Sequence, residues 1–237
     1  MADVMTYDGM NNVAVVHMTN AYGLGLADAF VANMDSASIC TQIGYEETTT
    51  DFSAAVASVI NDGCTSVFLV SYASDGAMII EEMASQGYSG AIYGADGIAE
   101  EGLAADMSDK SLVHGVIASK PLAGGSISEA GEYFAYLCSM NSYCSGGIYT
   151  AEAFDAVTIM AFAAWTALHT PGLDAAVAVM ATGQGFVGAS GTISFLSNGD
   201  VPGPGFCVGE FSHDASDDSV SYDCVRQWDI INGVSQN

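Results

Sequence analysis

Val67-Phe68-Leu69-Val70-Ser71-Tyr72 is the stretch that decides the fold. An apolar run this short reads as a central parallel strand, buried on both faces. Just before it, Asp51 is a good helix N-cap, and Phe52, Val56, Val59 and Ile60 form one helical face that ends at Gly63. Just after it, Asp75–Gln86 reads as the next helix, with Gly87 as its stop. The alternation continues outward. Val13–Met18 and Ile39–Tyr45 read as strands on either side of an amphipathic helix, Tyr22–Met34, in which Leu26, Phe30 and Met34 lie one turn apart. Ala91–Gly94 and Val113–Ala118 supply a fourth and a fifth strand. Such alternation predicts an α/β fold built on a doubly wound parallel sheet.

The pattern changes after Pro121. Leu122–Ser128 is a Gly/Ser-rich crossing, followed by helical stretches at Ser128–Met140, Thr150–His169 and Leu173–Thr182. Gly191–Leu196 reads as a strand and Asn198-Gly199-Asp200 as a turn. Phe206–Phe211 and Tyr222–Ile231 read as two strands around an acidic loop, Ser212–Ser221. No internal repeat or low-complexity tract is visible.

The 237 residues include 28 Asp and Glu against 3 Lys and Arg, a formal net charge of −25, and half are hydrophobic. That apolar content excludes a disordered chain and suffices for a sizeable core. Lys110, Lys120 and Arg226 cannot form the basic patch that phosphate contacts need, which argues against nucleic acid as a partner. Anionic membrane surfaces are disfavoured for the same reason. A charge this large repels itself, and salt near 1 M shortens the screening length to about 3 Å. The surface therefore suits salty surroundings.

The even set of cysteines, Cys40, Cys64, Cys138, Cys144, Cys207 and Cys224, fits disulfides formed in an oxidising compartment. Cys138 and Cys144 would close a short loop, Cys207 and Cys224 could face each other across a hairpin, and Cys40 and Cys64 would be the third pair. Sequence does not fix the connectivity, and six buried thiols remain the alternative. No spacing resembles a zinc site. Met1–Asn12 has no apolar stretch and is not a signal peptide. The uncharged run Ala156–Leu173 is interrupted by Thr, His and Pro and is not read as a membrane span. Cysteines that suggest export, without an export signal, suggest a chain that begins partway through a longer protein.

Ligands of open α/β sheets bind outside the carboxyl ends of the strands. There this sequence places Asn20 and Tyr22 after the first strand, Tyr72, Ser74 and Asp75 after the third, and Asp96 after the fourth. Phenols offer flat apolar contact with a polar tip, and a partly desolvated carboxylate favours a cationic group such as an ammonium. A rival motif sits at the same place. Gly23-Leu24-Gly25 imitates the start of a dinucleotide-binding loop, and Glu46 or Glu47 imitates its ribose acid. Asp28 stands at the third glycine position, where its charge would repel a pyrophosphate, so tight strand–helix packing is the preferred explanation. Neither GxSxG nor HExxH occurs, and His17 reads as core. Asp214, Asp217, Asp218 and Asp223 are not spaced as a calcium loop and read as a solvated turn.

Taken in order, several segments resemble the type I periplasmic solute-binding proteins of the leucine/isoleucine/valine group. They are Val13-Ala14-Val15-Val16-His17, Tyr22-Gly23-Leu24-Gly25, Thr50-Asp51-Phe52-Ser53, Gln86-Gly87-Tyr88, Gly94-Ala95-Asp96-Gly97, Tyr149 to Phe154 with Asp155-Ala156-Val157, and Gly188–Phe195 before Asn198-Gly199-Asp200. The resemblance implies two lobes joined by three crossovers, with the chain starting just before the second lobe's first strand. Residues 1–120 would then be lobe two, 121–205 part of lobe one, and 206–237 a return to lobe two. It implies a ligand in the inter-lobe cleft, met by Tyr22, Tyr72 and Asp96, with Asp96 holding an α-ammonium where relatives often carry Glu. The family's α-carboxylate contacts would lie in the absent part of lobe one.

The resemblance and the residues together lead to the expectation of a non-enzymatic, extracytoplasmic protein without a cofactor. It would deliver an amino acid or similar small molecule to the membrane permease of an ABC importer. A ligand-sensing receptor ectodomain of the same fold is the alternative, a degenerate fragment without binding function a further one, and a dinucleotide-dependent enzyme the one from another class. If lobe one is incomplete, an exposed apolar patch is expected on the helices of residues 128–182.

Overall fold

The computed structural model describes residues 1–105, 107–122, 129–140, 149–197, 199–201, 203 and 205–236. The chain divides into two compact units, Met1–Lys120 with Gly205–Asn237, and Pro121–Pro204. In chain order the first stretch holds α1 (Ala2–Tyr7), β1 (Val13–Met18), α2 (Ala21–Asn33), β2 (Ile39–Tyr45), α3 (Ser53–Asn61), β3 (Ser66–Val70), α4 (Ala73–Ser85), β4 (Ala91–Gly94) and β5 (Ile117–Pro121). Then come α5 (Glu129–Met140), α6 (Thr150–His169), α7 (Ala175–Gly183), β6 (Phe186–Val187) and β7 (Thr192–Ile193). The chain ends with β8 (Phe206–Asp214), β9 (Ser219–Asp229) and β10 (Gly233–Gln236).

The main sheet has the order β10-β9-β8-β5-β4-β3-β1-β2. Strands β2, β1, β3, β4 and β5 run parallel, while β8, β9 and β10 pair antiparallel. Every residue of β1 and β3 is buried, His17 and Ser66 among them, as strands covered on both faces require. The period of two sends alternate side chains to opposite faces. Ala14, Val16, Val67 and Leu69 join Val56, Val59, Ile79, Ile80 and Met83 of α3 and α4. Val13, Val15, Phe68 and Val70 join Val4, Met5, Ala27 and Phe30 of α1 and α2. Burying each such Val, Leu or Phe side chain contributes about 1.5–3 kcal/mol, and these two layers hold the sheet's carboxyl edge in place.

Several expectations are corrected. Leu26 is exposed, because α2 buries Gly23, Ala27 and Phe30 instead. Gly23 packs so closely that a Cβ would lie 2.1 Å from the Met18 carbonyl oxygen, which sets that stripe. The fifth strand begins at Ile117, not Val113, since residues 110–113 form a 3₁₀ turn and Gly115 has φ +81°. The C-terminal strands are longer than the pattern suggests, and most of the expected acidic loop is ladder, with only 215–218 left as the turn. Polar residues such as Ser212 and Ser221 sit on an exposed face, where alternation need not show. Helix α1 is too short for any periodicity, yet it buries Val4 and Met5. Gly191–Leu196 contributes only β7, the partner of β6.

Cys40 and Cys64 are bridged, as are Cys207 and Cys224. Cys144 lies outside the described residues, as do Asn198 of the expected turn and Ala123–Ser128 of the crossing. In the smaller unit Asp155 of α6 is 1% exposed and ties the helix to the β6–β7 hairpin. Its carboxylate accepts from the backbone N–H groups of Ala189 and Ser190, both at 2.7 Å, and from Ser190 Oγ at 2.6 Å. Ile159 and Ala163 extend the buried stripe, whereas Val157, Met160, Phe162, Trp165 and Leu168 are exposed, so the apolar surface expected on these helices is present. By length and composition α6 is also apolar enough to cross a membrane.

Candidate ligand-binding site

Strand order reverses at β1, whose neighbours are β2 on one side and β3 on the other. The segments leaving β1 and β3 therefore diverge and open a crevice at their carboxyl ends. After β1, Asn20 Oδ1 accepts the Gly23 N–H at 2.8 Å and starts α2, which places Tyr22 in the helix's first turn. After β3, Tyr72 is the residue that opens α4. The two phenols stack, with ring centroids 5.1 Å apart and planes inclined by 12°. Tyr72 remains 46% exposed and forms the outer surface of the pair.

After β4 the chain supplies Asp96 and Gly97. Tyr22 Oη donates to Asp96 Oδ1 at 2.9 Å and accepts the Gly97 N–H at 3.0 Å. Gly97 permits this approach. A Cβ there would lie 2.4 Å from the Ser71 carbonyl oxygen and 2.8 Å from Tyr22 Oη. The result is a relay from backbone to phenol to carboxylate that fixes the acid beside a flat aromatic wall. Burial first, and then the Asp96 charge, push the Tyr22 phenol well above its ordinary ionisation range, so it stays a donor at neutral pH.

Each of the three Lys and Arg side chains has a partner of its own. Lys110 pairs with Asp218 at 3.0 Å, Arg226 pairs with Asp8, and Lys120 lies 4.6 Å above the Tyr222 ring. A carboxylate held beside stacked phenols is suited to a cation that carries apolar surface.

Tyr22, Tyr72 and Asp96 thus come together, whereas Asn20 and Ser74 have other partners. Asn20 caps α2 and donates from Nδ2 to Glu47 Oε1 at 2.6 Å, and Ser74 Oγ donates to Asp75 Oδ1 at 3.3 Å. Of the dinucleotide-like motif, Gly23 serves helix packing, Gly25 faces open space, Asp28 is exposed and Glu47 is held by Asn20. His17 is buried between the Met18 carbonyl and Gln42. Among the described residues no group of three or more His, Cys, Asp or Glu could hold a metal ion. Gly97 was the residue hardest to foresee, because its contribution is a backbone N–H that leaves no side-chain signal.

A sequence profile described as "Receptor family ligand binding region" matches residues 1–214. The chain belongs to this family. Over 89 residues it is 34% identical to "Leu/Ile/Val-binding protein homolog 3" of Brucella melitensis biotype 1, covering 36% of this chain and 24% of that protein. A solved leucine-binding protein of Thermotoga maritima superposes with TM-score 0.72 at 19% identity, covering 93% of this chain and 62% of that one. A type 1 periplasmic binding protein of Bordetella pertussis superposes with TM-score 0.74 at 15% identity, covering 95% and 65%. The fold is therefore that of the type I periplasmic binding proteins. The chain spans less than two thirds of the length of these relatives.

Proposed function

We propose that this chain is part of an extracytoplasmic solute-binding protein that hands an amino acid, branched-chain-like or similar, to the permease of an ABC importer. The observation that carries the reading is the Gly97–Tyr22–Asp96 relay with Tyr72 stacked on it. Asp96 takes the ligand's ammonium and the exposed Tyr72 face covers adjoining apolar atoms. Tyr22 holds the carboxylate in position. Asn20 and Ser74 keep the two helix starts in place. On this reading residues 1–120 and 206–237 are lobe two, and residues 121–205 belong to lobe one. Family membership and the branched-chain names of the relatives support it.

The protein acts by binding and needs no catalytic step. The test is calorimetric titration of L-leucine into the chain and into Asp96→Asn. Loss of a buried counter-charge weakens binding by about 1.5–3 kcal/mol, whereas equal affinities overturn the assignment of Asp96. A ligand-sensing receptor ectodomain is the second reading, favoured by the receptor description of the matched family. It uses the same crevice, and a signalling domain in the same gene product would distinguish it from the importer.

A further inference from the structure

Below the crevice floor lies a second acid that the binding scheme does not use. Asp75, in the first turn of α4, is 9% exposed. Ser74 Oγ reaches it at the long distance of 3.3 Å. Tyr45, the last residue of β2, is 6% exposed and lies beside Asp75 and Ser71, yet its Oη has no aligned hydrogen-bond partner among the described residues. The titratable groups that face Asp75 are Tyr45 and Glu47, both from the end of β2. On the other side of α4, Ile98 and Leu103 close against Gly76 and present no charge. A buried carboxylate with one weak donor, an acidic neighbour and an unsatisfied phenol is the arrangement that protonation relieves. As a neutral acid, Asp75 can donate to Tyr45 Oη, which has lone pairs to accept.

We propose that the Tyr45–Asp75 pair is a proton-binding site beneath the crevice, through which pH sets the position of Tyr72 at the start of α4. The mechanical link is short. Tyr72 opens α4, and its carbonyl accepts from the Gly76 N–H at 2.8 Å and from Ser71 Oγ at 3.3 Å. Any shift of the first turn around Asp75 is therefore carried to the stacked phenol.

Burial, the largest effect, holds the Asp75 carboxyl above the ordinary aspartate range. A folded-state value above the unfolded one means that ionised Asp75 destabilises the fold, and that this loss disappears as pH falls toward the unfolded value. Asp75→Asn, which mimics the neutral acid, is therefore more stable than the parent at neutral pH, and the difference closes on acidification.

The experiment needs no ligand. Carboxyl and tyrosine-ring resonances of the full chain are followed by NMR from about pH 8 to about pH 4, with ordinary aspartate near 3.9 as the reference. The expected result is an Asp75 midpoint above that reference, a Tyr72 ring shift with the same midpoint, and loss of that shift in Asp75→Asn. An Asp75 midpoint at or below the reference overturns the proton site. A Tyr72 ring that ignores Asp75 titration overturns the coupling.

Discussion

Tyr22 Oη and Asp96 Oδ1 are 2.9 Å apart, although 74 residues separate them in sequence. The bond joins the first turn of α2 to the segment after β4, across the point where the strand order reverses. It turns an acid at a loop tip into a fixed group.

Gly97→Ala destabilises the fold and disorders the Tyr22–Asp96 bond. Its Cβ would meet a backbone oxygen at 2.4 Å, and forced overpacking costs about 1–3 kcal/mol. Gly25→Ala is the control. No atom lies within 4 Å of its would-be Cβ, and Ala in a helix gains about 0.5–1 kcal/mol over Gly. Urea unfolding of both variants should give opposite signs.

Asp96→Asn brings Tyr22 ionisation down toward the ordinary phenol range, because a negative neighbour has been removed while burial remains. Ultraviolet difference titration at alkaline pH measures this. An unchanged profile would mean that the phenol and the acid are not in contact in solution.

The legible part of this fold was the part with a period. β1 and β3 carry the apolar runs Val13–Val16 and Val67–Val70, and the α3 stripe of Val56 and Val59 is where spacing puts it. Helix α1 and the extension of the β8–β9 ladder through residues 212–221 were not legible, because one is too short for a repeat and the other is built of polar residues held by strand pairing. In the site, Tyr22, Tyr72 and Asp96 follow from the rule that strand ends form the crevice. The hydrogen bonds of Asn20 and Ser74 do not, since residue type at a strand end does not say which backbone or side-chain group it will meet. The proximity of Tyr45 to Asp75 depends on how two separate strand ends are positioned, which no local pattern encodes.

Arg226→Ala costs about 1.5–3 kcal/mol, because it takes a charged hydrogen-bond partner from the half-buried Asp8 and leaves it only the Tyr93 hydroxyl. Lys110→Ala, which breaks an exposed pair with Asp218, costs about 0–1 kcal/mol. Equal costs in chemical unfolding would contradict the partial burial of the Arg226–Asp8 pair.

Glu81 accepts from the hydroxyl of Ser108 and then from its backbone N–H, and these bonds hold its carboxyl below the ordinary range. A depressed folded-state value stabilises the fold above the unfolded value, and the gain is lost as pH falls through the folded one. Glu81→Gln should therefore lower the melting temperature at neutral pH and converge with the parent in acid. A gap that persists unchanged in acid would count against the bond.

Recognition of an ammonium by Asp96 beside the two phenols is tested most directly by comparing three ligands through the shifts of the Tyr22 and Tyr72 ring resonances. The ligands are L-leucine, isoamylamine, which keeps the ammonium, and 4-methylpentanoate, which keeps only the carboxylate. Leucine and the amine should perturb both rings, the carboxylate should not, and Asp96→Asn should abolish the amine response. A response to the carboxylate equal to that of the amine, surviving in Asp96→Asn, would contradict the assignment.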